Sequence, residues 1–392
     1  EVLLAGLSLG GSPASVFLTV FLPLSMPGVT AGAALVALSA VGFYITPALL
    51  GAPGDYLIAQ AIEVRVSTLA EFDGAAALAW LLLALVLAVL LLLRRHVVAL
   101  PDDVAPAGIH RCHLPPLPPA LGVLKTAAER LAPMLLWGLS SGLLVFLLAP
   151  IAVVLLLAFS NAPYLSFPPP SYSLRWLKAF LADARWIEAL GFSLGVAGTA
   201  AFTALLVGTP YALALTRGRF AGRRLLWLLA ALPMILPHIV LGLGFFFTAV
   251  ALGLNGHPVS FWLAYTVIGL PYIVIILVAA LNRFDQGLER AANGLGAHPV
   301  VAFATVTLPL LSTAFASAFL FAFLAGFDDL IIGLFLSSPR GTTLAIRIWE
   351  DIRLEISPKT AVVGMLQVSL LAVCLFSALL TRVLRRPPAP RD

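Results

Sequence analysis

Two adjacent carboxylates, Asp328 and Asp329, stand in a stretch that is otherwise apolar from Thr313 to Leu336. An acid inside a membrane span costs roughly 3 kcal/mol on insertion scales, so such residues face protein, water or a cationic solute rather than lipid. With the preceding Phe327 they form a candidate substrate path. The alternatives are a structural pairing with another helix or a place near the outer interface. Other reactive side chains carry less. His110, Cys112 and His113 fall in a proline-rich stretch without the fixed geometry a metal needs. Ser8, Ser140 and Ser193 each sit in Gly-x-Ser-x-Gly, but that motif marks a nucleophile only at a strand-to-helix turn. The histidine placed in a span, His238, reads as structural or interfacial rather than as a base. His-Glu-x-x-His and Gly-x-x-x-x-Gly-Lys-Ser/Thr are both absent from the sequence, so hydrolysis through that zinc motif or of ATP through a phosphate loop is not expected. The chemistry points to passage of a solute and not to bond making.

The elements that must position these residues are membrane spans. Of 392 residues, 61% are hydrophobic and 10% charged, against about 25% charged in ordinary soluble domains. A bilayer core of about 30 Å needs about 20 apolar residues. Eight spans are expected: Pro27–Leu50, Gly74–Leu93, Met134–Phe159, Phe192–Leu215, Leu225–Leu252, Phe261–Leu281, Thr313–Leu336 and Ala361–Leu380. The expected fold class is an all-α polytopic transmembrane bundle. The net charge of +5 does not indicate nucleic acid, because the arginines cluster at the ends of apolar segments. Loops placed on the cytoplasmic side hold 15 Lys/Arg against 7 Asp/Glu, and the opposite side 8 against 9. That asymmetry predicts both termini in the cytoplasm of a multi-pass inner-membrane protein. The two cysteines, Cys112 and Cys374, imply no disulfide framework.

Between the second and third spans the composition changes. Pro101 to Gly108 and Leu114 to Pro119 are rich in proline, as in a semi-rigid linker. A short interfacial helix is expected at Leu121–Leu131, with Lys125 and Arg130 toward lipid headgroups. The predicted organisation is residues 1–95 as the C-terminal part of a first unit, 96–133 as linker, and 134–386 as a complete six-span second unit.

The chain also repeats itself. Leu9-Gly-Gly-Ser-Pro-Ala-Ser-Val-Phe-Leu-Thr-Val-Phe-Leu-Pro-Leu returns as Leu295-Gly-Ala-His-Pro-Val-Val-Ala-Phe-Ala-Thr-Val-Thr-Leu-Pro-Leu, at a constant offset of 286. The register continues to Pro53 and Pro339. In the second copy Asp285, Glu289 and Arg290 surround Ala291, Ala292, Gly294 and Gly296. Small side chains allow a close approach and the glycines a sharp turn. Pro309 suits the first turn of the next helix. This predicts a protruding helix–turn–helix, either a docking element or an ordinary connection.

These residues resemble the EAA loop of type I ABC importer permeases: Glu-Ala-Ala, three residues, Gly, nine residues, Ile, one residue, Leu-Pro. Ala291-Ala292, Gly296, Val306 and Leu308-Pro309 fit that spacing, with Arg290 in the glutamate position and Glu289 before it. Ala5-Gly6, Gly10, Val20 and Leu22-Pro23 fit it again, with Leu4 in the glutamate position. Phe167-Pro-Pro-Pro-Ser-Tyr-Ser-Leu-Arg-Trp, Phe327-Asp-Asp and Tyr44-Ile-Thr-Pro-Ala-Leu-Leu-Gly are similar to segments of spermidine/putrescine-type permeases, here fused in one chain. The resemblance implies a MetI-like permease fold moving a small, polyamine-like solute inward without a cofactor. It implies two ABC ATPase subunits gripping the two loops, a periplasmic solute-binding protein, a lipid environment and no nucleic acid. Glu289, Arg290, Ala291, Ala292, Gly296, Leu308, Pro309, Ala5, Gly10, Leu22 and Pro23 would form the coupling surfaces. An ion-coupled secondary transporter is the alternative, since it too uses repeats and intramembrane acids. The chain starts at Glu1 and its first copy keeps two spans against six. Upstream residues are therefore expected, and this form alone is expected to be inactive.

Overall fold

A computed structural model describes residues 2–11, 13–52, 54–97, 122–338, 341–354 and 357–384. Most of the linker, with His110, Cys112 and His113, lies outside the described residues, as do Pro53 and Pro339. In chain order the helices are α1 (Val2–Ser8), α2 (Pro13–Val16), α3 (Leu22–Val41), α4 (Ile45–Leu50), α5 (Ile58–Ser67), α6 (Phe72–Val97), α7 (Gly122–Ala158), α8 (Arg175–Ala182), α9 (Ala184–Arg217) and α10 (Arg223–Ile235). They continue with α11 (His238–Ala251), α12 (Pro258–Asn282), α13 (Gln286–Gly294), α14 (Pro299–Ala302), α15 (Leu308–Leu310), α16 (Ser312–Phe327), α17 (Ile331–Leu336), α18 (Leu344–Leu354) and α19 (Lys359–Leu384). Phe17–Phe21 and Phe303–Thr307 are π-helical turns.

The sequence repeat is a structural repeat. Displacing α2 by 286 positions gives the bounds of α14, displacing α4 gives those of α17, and the two π turns coincide in the same way. The last residue of α3, Val41, maps onto the last residue of α16, Phe327. Proline explains the π turns. Pro23 and Pro309 have no N–H for the carbonyl four residues back, and their rings would collide with it. The turn widens, and the amides of Leu22 and Leu308 bond instead to Phe17 and Phe303. Even a side-chain bond recurs: the Thr19 and Thr305 hydroxyls donate to the carbonyls of Ser15 and Val301, each at 2.7 Å.

Among the described residues, four helical stretches can cross a bilayer unaided: Phe72–Leu91, Met134–Ala158, Ala184–Arg217 and Pro258–Asn282. Two bent pairs raise the number to six if each is one crossing. The expected straight span Leu225–Leu252 is instead α10 and α11, meeting at 100°. The cause lies in Pro233 and Pro237, which leave backbone acceptors without donors at the break. α16 is joined to the preceding helix at 79°, whereas α3 runs unbroken through the equivalent position. Asp328 and Asp329 lie between α16 and α17, not within a helix. The separate helix expected at Leu121–Leu131 is the beginning of α7.

The chain divides into two compact units, Glu1–Cys112 with Gly191–Ala345, and His113–Leu190 with Ile346–Asp392. In the first, α9, α10, α12 and α16 share a core of alanines (Ala201, Ala204, Ala318, Ala322) and larger residues such as Ile273 and Leu277. Small residues matter here because lipid is as apolar as leucine, so close van der Waals fit holds spans together. Trp262 Nε1 donates to Thr203 Oγ1 at 3.0 Å, satisfying an indole between α12 and α9. Residues of the first copy pack directly on the second: Phe72 of α6 stacks on Phe246 of α11 at 5.6 Å.

In the second unit, Asp183 precedes α9 and receives Lys359 Nζ at 3.2 Å and Arg185 Nη2 at 3.2 Å. Hydrogen bonds from Arg185, opposed by partial burial and helped by Lys359, hold its carboxyl down at about 2. A carboxylate with a depressed folded pKa stabilises above its ordinary value near 4, and that contribution disappears as pH falls through about 2. Asp183→Asn is expected to lose about 1 kcal/mol at neutral pH, the modest amount appropriate to a partly solvated pair. Thermal midpoints of the two proteins in detergent should converge toward pH 2. A gap that persisted there would contradict the assignment.

Candidate coupling turns and intramembrane cavity

The helix–turn–helix expected around Asp285–Gly296 forms from local signals. Asp285 caps α13 by accepting from the Gly287 amide at 2.8 Å. The helix closes on Gly296, whose φ of +92° is strained for any residue with a Cβ. The Ala297 amide then reaches back to the Ala292 carbonyl at 3.1 Å, completing a Schellman-type stop. The first copy repeats it with Gly10 at φ +84° and Gly11 bonded to Gly6 at 3.1 Å. Open space surrounds both positive-φ glycines, so the backbone conformation and not crowding requires them. Beside each stands an exposed leucine: Leu9 is 88% exposed and Leu295 90%.

The candidate residues divide by exposure. Ala5, Gly10, Pro23, Arg290, Ala291, Gly296, Leu308 and Pro309 are exposed; Leu22 and Ala292 are half-buried. Arg290 Nε only reaches back to the Gln286 carbonyl at 3.4 Å. Glu289 is different, because its side chain is buried. Both Arg217 terminal nitrogens grip it, Nη1 to Oε2 at 2.7 Å and Nη2 to Oε1 at 2.8 Å. The Thr307 hydroxyl donates to Oε1. Burial alone would raise this carboxyl, but the Arg217 hydrogen bond and Thr307 outweigh it and bring it below the ordinary value. Arg217 reads in sequence as one more basic loop residue. No local pattern links it to Glu289, 72 positions on.

The acid pair also divides. Asp328 is exposed and Asp329 buried. Asp329 Oδ2 caps α17, accepting from the amides of Ile332 at 2.9 Å and Gly333 at 3.3 Å. Its Oδ1 lies 3.8 Å from His238 Nδ1. Phe327 is buried and stacks on Phe323 at 5.2 Å. None of the three lines the cavity nearby. That space, about 260 Å³, is bounded by Gly42, Phe43, the break at Pro233–His238, Tyr272 and Ile331. Gly42 and Phe43 are the first-copy counterparts of Asp328 and Asp329, so the two copies contribute unlike residues. Tyr272 carried no signal in sequence, and the break at Pro233–His238 falls inside what reads there as one straight span, Leu225–Leu252. No cluster of His, Cys, Asp and Glu able to hold a metal occurs among the described residues.

The pattern described as binding-protein-dependent transport system inner membrane component matches residues 200–387. The putrescine transport system permease protein PotI of Escherichia coli K12 is 32% identical over 221 residues, 55% of this chain and 78% of PotI. The spermidine/putrescine transport system permease protein PotC of Haemophilus influenzae is 28% identical over 239 residues, 60% of this chain and 92% of PotC. Among solved structures, a bacterial ABC transporter that imports the acidic polysaccharide alginate has a chain that is 16% identical. It aligns with a TM-score of 0.49 over 69% of this chain and 99% of its own.

Proposed function

This chain belongs to the inner membrane components of binding-protein-dependent transport systems, and from that premise we propose that it is a fused permease driven by two separate ABC ATPase subunits. The observation that carries this is the repeated turn: the same Schellman stop, positive-φ glycine and bare leucine, 286 residues apart. Each turn docks one ATPase subunit. Gly10 and Gly296 shape it, Leu9 and Leu295 fill a pocket on the partner, and Ala5, Ala291 and Ala292 permit close approach. Leu22-Pro23 and Leu308-Pro309 join the turn to the following helix. A periplasmic solute-binding protein delivers the solute on the other side. Both termini then lie in the cytoplasm with the arginine-rich loops, residues 1–95 and 134–386 act as the two permease portions, and 96–133 tethers them. Family membership leaves the ion-coupled secondary transporter without support.

A polyamine-like solute is favoured. The named relatives carry putrescine or spermidine, and the cavity suits an organic cation. Rings of Phe43 and Tyr272 border it and attract cations through their faces. The C-terminal end of α10 also borders it, presenting the negative end of a helix dipole. Asp329 acts there indirectly, by capping α17.

The test is co-expression of the chain with ABC ATPase subunits from its own genome, followed by purification in detergent. The native chain is expected to retain ATPase, and Gly296→Arg to lose it. A folded chain that retains no ATPase would sink the reading.

A further inference from the structure

We propose that Arg217 is a positioning residue that makes the second docking turn and α9 move as one piece, and that the first turn has no such tie. The inference rests on the reading of the turns as ATPase docks. Chain connectivity joins α13 to α12 through Arg283–Asp285 and to α14 through Leu295–His298, but not to α9. Arg217, the last residue of α9, adds that linkage by gripping Glu289 with both terminal nitrogens. Thr307, in the π turn that leads into α15, bonds the same carboxylate. Three elements therefore meet on one buried acid. A two-pronged guanidinium–carboxylate pair fixes angle as well as distance. Rotation of α13 must carry α9 with it or break the fork.

The first copy cannot do this. The 286-residue register places Leu3 opposite Glu289 and Phe21 opposite Thr307. Neither side chain can take part in such a bond, whatever guanidinium is offered. α1 instead rests near Val16, whose Cγ atoms would lie 3.2 Å from a Cβ at Gly6. Apolar contact of this kind has no directional bond to resist sliding. ATP-driven closure thus acts through one rigid and one compliant linkage, and α9 takes the larger displacement.

The test uses the full chain with its ATPase in lipid nanodiscs, with Cys112 and Cys374 replaced by serine. Spin labels are placed at the outward-facing positions Leu206 of α9 and Val267 of α12. ATP is expected to shift the distance between the labels. Arg217→Ala should keep the ATPase bound yet reduce the shift at least fivefold, and Arg217→Lys should restore about half of it. Glu289→Gln, nearly isosteric, should also reduce it, and Leu3→Ala should leave it unchanged. An undiminished shift in Arg217→Ala overturns the proposal. So does loss of ATPase binding in both Arg217→Ala and Glu289→Gln, since the fork would then shape the dock and not transmit its motion. If the unmodified chain bound no ATPase, the functional reading itself would fall, and this inference with it.

Discussion

The double substitution Leu9→Asp with Leu295→Asp is expected to abolish ATPase retention while leaving the permease folded. Both leucines are almost fully exposed, so the folded chain loses no packing when they become aspartate. Exposed apolar residues at matched positions of a repeat have no role in the monomer's core. On the proposed docking each would enter a dry pocket, where an unpaired carboxylate has no partner. Truncating one central interface anchor typically removes 2 kcal/mol or more, and about 1.4 kcal/mol is tenfold in affinity. At least a thirtyfold loss is therefore expected even if the two effects overlap. Pull-down of tagged ATPase in detergent, with helical content followed by circular dichroism, measures both sides of the claim. Unchanged retention would mean that the turns are ordinary connections.

The second large effect belongs to the membrane region. A Cβ at Gly242 of α11 would lie 2.6 Å from Cδ2 of Phe335 and 3.4 Å from the Ile332 backbone of α17. Phe335 is buried, so its ring has little space to yield. Gly242→Leu should force α11 and α17 apart, at about 1–3 kcal/mol for an overpacked site. A midpoint lower by several degrees follows at about 2–4 °C per kcal/mol. α17 is the helix that Asp329 caps and whose Ile331 borders the cavity, so solute binding should weaken as well. Gly244, two residues further along, has nothing within 4 Å of its Cβ direction. Gly244→Leu is the matched control and should leave the midpoint within about a degree. Equal losses in both variants would show that helix composition, and not the α11–α17 contact, sets the stability.

Much of this was legible from residue order because the informative signals are local. The repeated turn needs only helix capping, a glycine free to take positive φ, and a proline that a neighbouring turn must accommodate. All of these are encoded within about 25 residues. Copying that stretch at a fixed offset made it visible twice, and the structure preserves the offset down to the hydroxyl bonds of Thr19 and Thr305. The charged pair was harder. An apolar window containing Asp328 and Asp329 looks like one span, yet Asp329 is needed to cap a new helix, so the chain breaks there. The break at Pro237 was likewise concealed by hydropathy, which measures composition and not direction. Glu289 reads as a coupling residue in sequence because it stands just before Arg290, which takes the glutamate position of the EAA-like loop. Its partner, Arg217, comes from another helix, and only the tertiary arrangement reveals that the carboxylate is already occupied. The cavity depends on four separate segments and left no periodic trace in any of them.

The number of ATPase subunits bound per chain tests the central claim most directly. Native mass spectrometry of the complex, released from detergent, counts them without assuming any transported solute. Two subunits are predicted for the unmodified chain, and one for Leu9→Asp or Leu295→Asp alone. A complex that never exceeds one subunit, or that keeps two when either leucine is replaced, would contradict the two-turn account.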